Sequence, residues 1–341
     1  MKKYFLHLIL LTTITISCQK QMEEKFEWLP TESAPKLYPM NIYRGNLYFE
    51  DGGSVYIPCS GFAHNGWGND GSTHTQGEDL KPVPVKLAVT WASFAENKFY
   101  TGSWDLPKEK MLKLFKEGVI NYDTEKRQSY TQILVGCAPG GVVVVWMYGA
   151  GNQVEIGRYQ AHETHIALSD YVPGNPTITQ EEFFNIKDYP EIEEAIQKKG
   201  GIEYGLWDSY RKKYTWRTRI EIPNHGFEDM SLEMFNGERE DIFDEPLKRN
   251  ELKERAVPQN VTFMLRNLKR KRIVFALDLD EEEIFNVFKQ ADGTKPIEII
   301  LRANEDLSHP SLIFKQGDKE TPIRKIDLEN TWEYTSLSRN E

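Results

Sequence analysis

Cysteine is scarce in this sequence, which has three cysteines among 341 residues. A small scaffold held together by disulfides is therefore excluded, because a chain of this length can bury enough apolar surface to fold without them. Cys18 lies in the N-terminal segment, which leaves Cys59 and Cys137 for the folded part. In an oxidising compartment these two could form one disulfide or remain two buried thiols, and the sequence leaves both interpretations open.

Long apolar runs and an excess of basic residues are also absent. After residue 16 no stretch approaches the roughly 18 continuous apolar residues of a membrane-spanning helix. The chain has 42 Lys and Arg against 52 Asp and Glu, a net charge of −10. Nucleic acid is not expected as a partner, because binding to phosphates needs a basic face. The longest basic run, KRKR at residues 269–272, is interpreted as a solvated hairpin tip.

The N-terminus has the pattern of a processing signal. Two lysines precede a short apolar run at residues 4–16, and the run ends in the sequence TISC. A small residue before a cysteine at this point is typical of a bacterial lipoprotein signal. We therefore predict a signal peptide over residues 1–17 and a lipid on Cys18, although Thr15 stands where leucine is usual. A polar tether is expected over residues 18–30.

A lipid on Cys18 predicts where the protein is held. Two or more acyl chains bury enough methylene groups to keep a protein stably on a membrane. We expect an outer-membrane lipoprotein that faces the periplasm or the cell surface. Glu23 and Glu24 faintly resemble the acidic export signals that send some Bacteroidetes lipoproteins to the cell surface, and the sequence leaves both positions open.

Two segments of the chain have the same pattern of elements. The segments that begin at Val83 and Val257 each start Val-Pro and continue with two predicted strands, a short helix and three further strands. The pattern predicts an α+β fold with mainly antiparallel sheets and a duplicated β-β-α-β-β-β unit. The expected divisions of the mature chain are a first half at 31–162, an insertion at 163–256, a second unit at 257–330 and a tail at 331–341.

The helix in each copy follows from local chemistry. Pro107 suits a first helical turn, where its missing N–H costs nothing, and Met111 and Phe115 share one apolar face. In the second copy Asp280 can cap the helix, and Ile284 and Phe288 form the matching face. The acidic run around Asp280 lacks the glycine and the spacing of a calcium loop.

The sequence CAPGG at residues 137–141 is the most conspicuous local motif. Proline and glycine suit a hairpin turn, whereas a phosphate-binding loop needs a different glycine spacing and a following helix. The next residues, VVVVWMY, predict a strand buried on both faces. Cys137 has no neighbouring base in the sequence that would make it a nucleophile, so no catalytic residue is assigned.

Aromatic and histidine residues supply the candidate binding positions. The glycine-rich loop at residues 62–79 contains His64, Trp67 and His74, and it could hold a ligand or be a plain surface loop. Further along the chain, an aromatic cluster includes Trp207 and Trp216 with Arg217 beside them. Such a cluster could form a binding platform or could seal a core.

No metal or cofactor is expected from the sequence. His162 and His165 are three residues apart, but at the end of a strand that spacing places them on opposite faces. Carboxylates are abundant, but no spacing singles out an acid–base pair of the kind a glycoside hydrolase uses.

Several segments together resemble a known family. They are TISC, LAVTWASFAENKFYTGSWDLP, VGCAPGGVVVVWMYG, VEIGRYQ, YTWR, NGE and VPQNVTFMLRN. These segments are similar to bacterial lipoproteins grouped as domain of unknown function 2931, over roughly residues 80–290. The resemblance implies a membrane-anchored protein of Gram-negative bacteria and implies no activity. Some similar proteins are neighbours of secreted antibacterial effectors, which suggests an immunity role.

The sequence therefore favours a lipid-anchored, non-catalytic module that binds a protein partner. The most specific version of this hypothesis is an immunity protein that binds a secreted effector. A glycan or small ligand held by Trp67, Trp207 and Trp216 is the alternative, and a carboxylate-based envelope hydrolase is a second one.

Overall fold

The computed structural model describes residues 24–327, apart from 188, 250 and 269–271, together with residues 332–334. The predicted signal peptide, Cys18 and most of the tail at 331–341 lie outside the described residues. Strands hold 45% and helices 17% of the structure, and most strand pairs are antiparallel, so the predicted α+β class is confirmed.

Within the described residues, the first half of the chain contains thirteen strands and one α-helix. They are β1 (Lys25–Glu27), β2 (Leu29–Ser33), β3 (Met40–Tyr48), β4 (Ser54–Tyr56), β5 (Leu80–Pro82), β6 (Lys86–Ser93), β7 (Lys98–Asp105), α1 (Lys108–Glu117), β8 (Val119–Ile120), β9 (Arg127–Gln128), β10 (Gln132–Ala138), β11 (Val142–Gly149), β12 (Asn152–Gln160) and β13 (His162–Thr164).

Four helices follow and lead into the second half. They are α2 (Leu168–Tyr171), α3 (Gln180–Phe183), α4 (Pro190–Lys198) and α5 (Leu206–Tyr210). The second half contains β14 (Tyr214–Glu221), β15 (His225–Met234), β16 (Arg239–Phe243), α6 (Asp244–Arg249), β17 (Lys253–Arg255), β18 (Pro258–Asn267), β19 (Arg272–Leu279), α7 (Glu281–Lys289), β20 (Ile297–Arg302), β21 (Ser311–Gln316), β22 (Lys319–Ile323), β23 (Ile326–Asp327) and β24 (Trp332–Tyr334).

One long sheet runs through both halves of the protein. Its strand order is β2-β10-β11-β12-β16-β15-β18-β19-β23, with β24 also paired to β19. A sheet of order β13-β7-β6-β3-β4 packs on the first half of this central sheet, and a sheet of order β17-β14-β20-β21-β22 packs on the second half. Each half therefore has its own apolar core, with α1 in the first and α7 in the second.

The two halves share several features of their strand pairing, although β8 and β9 of the first half and α6 of the second half have no counterpart in the other. β3 pairs with β6 across a bulge between Ile42 and Arg44, and β15 pairs with β18 across a bulge between Phe227 and Asp229. In each half a strand that precedes the helix pairs in parallel with a strand that follows it, as β2 does with β10 and β14 with β20. This likeness does not by itself show that one half was copied from the other, so the duplication stays a prediction.

The helices of the two halves are built as the sequence pattern predicts. Met111 and Phe115 are buried on α1, and Ile284 and Phe288 are buried on α7. The Asp280 side chain caps α7 by accepting a hydrogen bond from the Glu283 N–H at 2.9 Å. None of the helices in the described residues is both long and apolar enough to cross a bilayer.

Two of the expected boundaries differ from the structure. β1 lies inside the expected tether at 18–30 and β2 begins there, and Trp28 between them is 1% exposed, so the folded part begins no later than residue 25. The segment 214–256, expected as insertion, supplies β14 to β17, which pair within the sheets of the second half. Local sequence patterns gave too few paired strands in both regions, because these strands pair with residues that are distant in the chain.

The strand β11 is buried on both faces, as the run VVVVWMY predicts. Val143, Val145 and Met147 point into the first core, while Val142, Val144 and Trp146 point to the opposite face. Alternating side chains of a strand point to opposite faces, so continuous apolar sequence needs cover on both sides. On the second face that cover comes from the helices between β13 and β14.

The two halves meet at a crossing of two glycines. Gly68, in the glycine-rich loop, lies against Gly237, in the turn between β15 and β16, and a Cβ on Gly68 would lie 2.5 Å from the Gly237 Cα. The Gln153 side-chain amide donates to the carbonyl oxygens of both glycines. The Trp146 indole N–H donates to the Asn236 carbonyl at 3.1 Å. Buried donors from the central sheet therefore hold both the glycine-rich loop and the β15–β16 turn at the crossing.

We expect Gly68→Ala to lower the free energy of unfolding by about 2–4 kcal/mol. A left-handed φ costs a non-glycine residue about 1–2 kcal/mol, and an overpacked contact adds about 1–3 kcal/mol. Gly61→Ala is the matched control, because both glycines have φ of +81° but no atom lies within 4 Å of a Cβ on Gly61. Urea unfolding measures the free energy of unfolding of both variants. Equal losses in the two would contradict the claim that the Gly68–Gly237 contact constrains the structure.

Candidate functional site

The helices α2 to α5 form an extra layer that covers apolar faces of the first half. Trp207 and its neighbours in α4 and α5 pack on the outer face of β10 and β11. Phe184 and the aromatic residues of α2 and α3 pack on Ala92, Phe94 and Phe99 at the end of the β6–β7 hairpin. We call residues 163–210, with these helices, the helical insertion.

Glu96 is one of several residues that link the helical insertion to the body of the protein. Glu96, in the turn between β6 and β7, accepts hydrogen bonds from the Ser93 hydroxyl at 2.7 Å and the Tyr100 hydroxyl at 2.8 Å. It also accepts from the Tyr204 hydroxyl at 3.1 Å and from the Gly140 N–H at 3.1 Å. Burial raises the pKa of Tyr100, and the hydrogen bond to Glu96 raises it further, so the phenol stays a donor.

The CAPGG motif is the hairpin turn that the sequence predicts. β10 and β11 pair antiparallel across it, and Gly140 and Gly141 have φ of 74° and 73°. The Gln160 side chain donates to the Gly140 carbonyl at 2.7 Å, and the Ala161 N–H donates to the Gly141 carbonyl at 2.8 Å. The motif therefore presents its N–H to Glu96 and its carbonyls to the end of β12.

Both cysteines of the folded part are free thiols in the structure, so the disulfide considered from the sequence is not formed. Burial raises the pKa of the Cys59 thiol to about 12 and holds the pKa of Cys137 well above its ordinary value. A thiol with a raised pKa is a poor nucleophile, because the thiolate is the reactive form.

Three of the predicted binding residues lie at the helical insertion: Trp207 belongs to it, and Trp67 and His64 contact it. Trp67 lies with its ring 4.9 Å from that of Trp146 and 6.0 Å from that of Trp207, measured between centroids. His64 contacts the Tyr189 ring at 5.5 Å. Trp207 is 4% exposed, so this aromatic group fills the space beneath the insertion and offers little ring surface to a ligand.

The other three predicted binding residues lie elsewhere. The His74 ring shares a hydrogen bond with the Tyr56 hydroxyl at 3.0 Å. Trp216 is fully buried in the core of the second half, where its indole N–H donates to the Ala256 carbonyl at 3.1 Å. Arg217 pairs with Glu298, with Nε 2.8 Å from Oε1. The three tryptophans therefore do not form the walls of one site.

The glycine-rich loop is fastened to β2 along its length. The Gly68 N–H donates to the Ser33 hydroxyl at 3.0 Å, and the Ser72 N–H donates to both carboxylate oxygens of Glu32 at 3.0 Å. Glu32 is 3% exposed, and burial raises the pKa of its carboxyl group despite these hydrogen bonds. The loop is an ordered part of the body and places Trp67 under the insertion.

Clefts lie along the seams between the helical insertion and the body. One of about 410 Å³ lies between Phe94 and Ile196, and another of about 490 Å³ lies beside His165 and Lys98. A third, of about 430 Å³, lies between α5 and α7, where Tyr210 and Glu281 face it. Sequence reasoning missed these clefts because each needs residues from distant segments. Within the described ranges no group of His, Cys, Asp and Glu could hold a metal ion.

The charge of the protein is concentrated in this layer. Residues 163–210 contain ten carboxylates and three lysines, a net charge of −7, against −10 for the whole chain. Glu191, Glu193 and Glu194 on α4 are all exposed, while Ile192 between them is buried. The insertion thus has an apolar inner side and an acidic outer side.

The fold and this layer define a class of protein, an α+β protein of two packed-sheet halves with an acidic helical insertion. The chain belongs to the family described as Protein of unknown function (DUF2931), whose sequence model matches residues 15–205. The match confirms the resemblance but starts and ends earlier than the expected span of 80–290. It includes Glu96, Gly140 and Tyr204 and ends before Trp207. No curated protein and no solved structure matches the chain.

We expect Glu96→Ala to lower the free energy of unfolding by about 2–4 kcal/mol, because it leaves four donors without their acceptor. Glu96→Gln should recover part of the loss, since its amide oxygen still accepts. Glu163→Ala is the control, because its exposed ion pair with Lys98 contributes little. Thermal and urea unfolding measure the effect, and a loss no larger than that of the control would contradict the role given to Glu96.

Proposed function

We propose that this protein is a lipid-anchored cell-envelope protein that binds a protein partner with a basic surface through its helical insertion. The observation that carries the proposal is the concentration of negative charge on an exposed layer that is built onto the body of the fold. A surface that carries charges of one sign attracts a partner of opposite charge and raises the rate at which the two proteins meet.

The construction of the insertion supports a protein partner. Its inner side is fixed by aromatic packing on Trp67 and by the Tyr204 hydrogen bond to Glu96, so its outer side is presented on a firm support. Exposed carboxylates are spread along the insertion, from Glu181 through α4 to Glu203. A broad charged surface suits a macromolecule better than a small ligand, which needs a few converging groups.

The anchor rests on the sequence at TISC and on the position of Cys18. The first strand begins at Lys25, a few residues after Cys18, so a lipid there would hold the folded part close to the membrane surface. The family resemblance suggests immunity to a secreted effector as the most specific version of the proposal. An outer-membrane position, facing the periplasm or the cell surface, agrees with that role.

A glycan is the second candidate, and one observation favours it. Tyr204 is 62% exposed and lies over Gly140, so its ring is available at the surface. Exposed aromatic rings can stack on the apolar faces of ligands. Tyr204→Ala should abolish binding to a glycan if this candidate is correct and should leave binding to a basic protein largely in place.

We expect Cys18→Ala to release the protein from membranes, because the thiol is the only attachment point for the lipid in this proposal. Fractionation of cells that produce the wild type and the variant measures the shift from the membrane fraction to the soluble fraction. Cys59→Ala is the control and should stay with the membranes. A variant at Cys18 that remains in the membrane fraction would contradict the anchor.

We expect the triple variant Glu191→Lys, Glu193→Lys, Glu194→Lys to weaken capture of the partner at least about tenfold, because it removes most of the negative charge of the insertion. The bait is the chain from residue 18 with Cys18→Ala, and the prey are envelope and secreted proteins of the same organism and its neighbours. Mass spectrometry identifies the partner, and repeated capture at rising salt concentration tests the electrostatic contribution.

The matched control for that experiment is the triple variant Glu109→Lys, Asp123→Lys, Glu125→Lys. These three residues are exposed on the first half, away from the insertion, and Glu109 lies in the first turn of its helix as Glu191 does. Equal weakening by both triple variants would show a general charge effect and would contradict the insertion as the binding surface.

A further inference from the structure

The chain enters the folded part of the protein beside the C-terminal end of α1. The Glu24 carboxylate lies 2.6 Å from the Lys116 ammonium, and the Phe26 ring stacks on the Phe115 ring with centroids 4.7 Å apart. The stretch from Cys18 to Glu24 is six residue steps, which reach at most about 20 Å. A lipid on Cys18 would therefore hold this end of α1 near the membrane surface.

Two hairpins lie next to this end of α1. The β8–β9 hairpin follows the helix directly, and the Arg127 guanidinium donates to the Glu117 carbonyl. The Tyr122 hydroxyl, in the turn of this hairpin, accepts from the guanidinium of Arg272 at the start of β19. The β18–β19 turn therefore lies close to the β8–β9 hairpin. We call β1, β5, the C-terminal end of α1 and these two hairpin turns the anchor side.

Exposed apolar side chains are frequent on the anchor side. In the part of the chain that the structure describes, the large apolar side chains that are exposed are Tyr56, Leu80, Ile120, Tyr204, Leu252 and Leu268. Three of them belong to the anchor side, where Leu80 is 54%, Ile120 42% and Leu268 78% exposed. Apolar side chains that the protein leaves uncovered can be buried in the interfacial region of a bilayer.

The anchor side also carries basic charge, although the whole chain is acidic. Residues 108–128 contain six Lys and Arg against four Asp and Glu, a net charge of +2, whereas the whole chain has −10. Lys113 is 71% exposed and lies 3.7 Å from Glu117, and an exposed ion pair of this kind holds a cation only weakly. Lys126 and Arg127 are exposed as well. Basic side chains at this position attract anionic lipid headgroups.

The attachment of the helical insertion lies at the other end of the first half. β2 and β10 run parallel, with Leu29 opposite Gln132, so the chain enters near the start of β10. β10 ends at the CAPGG turn, about 20 Å further along the strand. There the Gly140 N–H and the Tyr204 hydroxyl both donate to Glu96. A membrane on the anchor side therefore leaves the CAPGG turn and Tyr204 directed away from it.

We infer that the anchor side is a membrane-contact surface, with Ile120 and Leu268 in the headgroup region and Lys113 and Lys126 on anionic lipid headgroups. Exposed apolar side chains and neighbouring cations are the two features through which a protein binds the interfacial region of a bilayer. A lipid anchor alone leaves the protein free to rotate, whereas this contact fixes which side faces a partner. The inference rests on the proposed function, because it takes the lipid on Cys18 as given.

Hydrogen–deuterium exchange of the lipidated full chain in nanodiscs tests the surface. The nanodiscs contain phosphatidylcholine and phosphatidylglycerol, and the reference is the soluble Cys18→Ala variant. We expect the amides of residues 118–128 to exchange at least about fivefold more slowly on the membrane, because the bilayer covers the β8–β9 hairpin. Residues 138–141 and 202–206 should exchange at the same rate in both forms. No protection at 118–128, or equal protection of both ends, would overturn the inference.

Charge variants test the lipid chemistry. The double variant Lys113→Glu, Lys126→Glu should remove the protection of residues 118–128, because it places negative charge against anionic headgroups. The double variant Lys187→Glu, Lys198→Glu makes the same change of charge at two exposed lysines of the helical insertion and should keep the protection. Equal losses in the two double variants, or equal protection in nanodiscs of phosphatidylcholine alone, would overturn the inference.

The outcomes distinguish this inference from the proposed function. If Cys18 carries a lipid and a partner is captured, but residues 118–128 gain no protection, the membrane-contact surface is wrong and the proposed function stands. If mass spectrometry finds no lipid on Cys18, the anchor is wrong, and sedimentation of the soluble chain with phosphatidylglycerol vesicles decides the surface. Binding that is lost in Lys113→Glu, Lys126→Glu would then support the surface, and no binding would overturn it.

Discussion

The close approach of Gly68 and Gly237 is the contact on which the rest of the structure depends. The glycine-rich loop of the first half and the β15–β16 turn of the second half touch here backbone to backbone, which only glycine allows at this separation. Gln153 holds both carbonyl groups, and it also forms the single pair that joins β12 to β16 in the central sheet. The same few residues therefore join the two halves through both the sheet and the loop.

The helical insertion depends on that crossing. Trp67 precedes Gly68 directly, so the loop that reaches the crossing also sets Trp67 against Trp146 and Trp207. Glu96 then fixes the other side of the layer through Tyr204 and the CAPGG turn. Other contacts also hold the insertion, such as the pair of Asp208 with Arg158 and the hydrogen bond from the Tyr210 hydroxyl to Glu281 of α7, and its charged side is left for a partner.

Local patterns predicted the parts of the fold that local chemistry decides. The CAPGG turn, the capped helix after Asp280, the buried run of β11 and the α+β class all follow from spacing, turn residues and apolar periodicity. The two strands and the helix that follow Val83 and Val257 were readable for the same reason. In contrast, β1 and the start of β2 were interpreted as a tether, because their short polar sequence gives no sign that they pair with β5 and β10.

The candidate site was less predictable, because it is made of contacts between distant segments. Trp67 and Trp207 come together, but Trp216, only nine residues after Trp207, points into the core of the other half. Sequence spacing does not reveal on which side of a chain crossing an aromatic residue lies. Glu96 gave no signal in the sequence, since its four donors come from three separate segments of the chain. The cleft beside α7 was missed for the same reason.

Hydrogen–deuterium exchange of the protein, alone and with its captured partner, shows whether the helical insertion is the binding surface. We expect protection on binding to be concentrated in residues 163–210, with little change on the outer sheet of the second half. Protection confined to the second half, or spread evenly over both halves, would contradict the claim that the helical insertion is the binding surface.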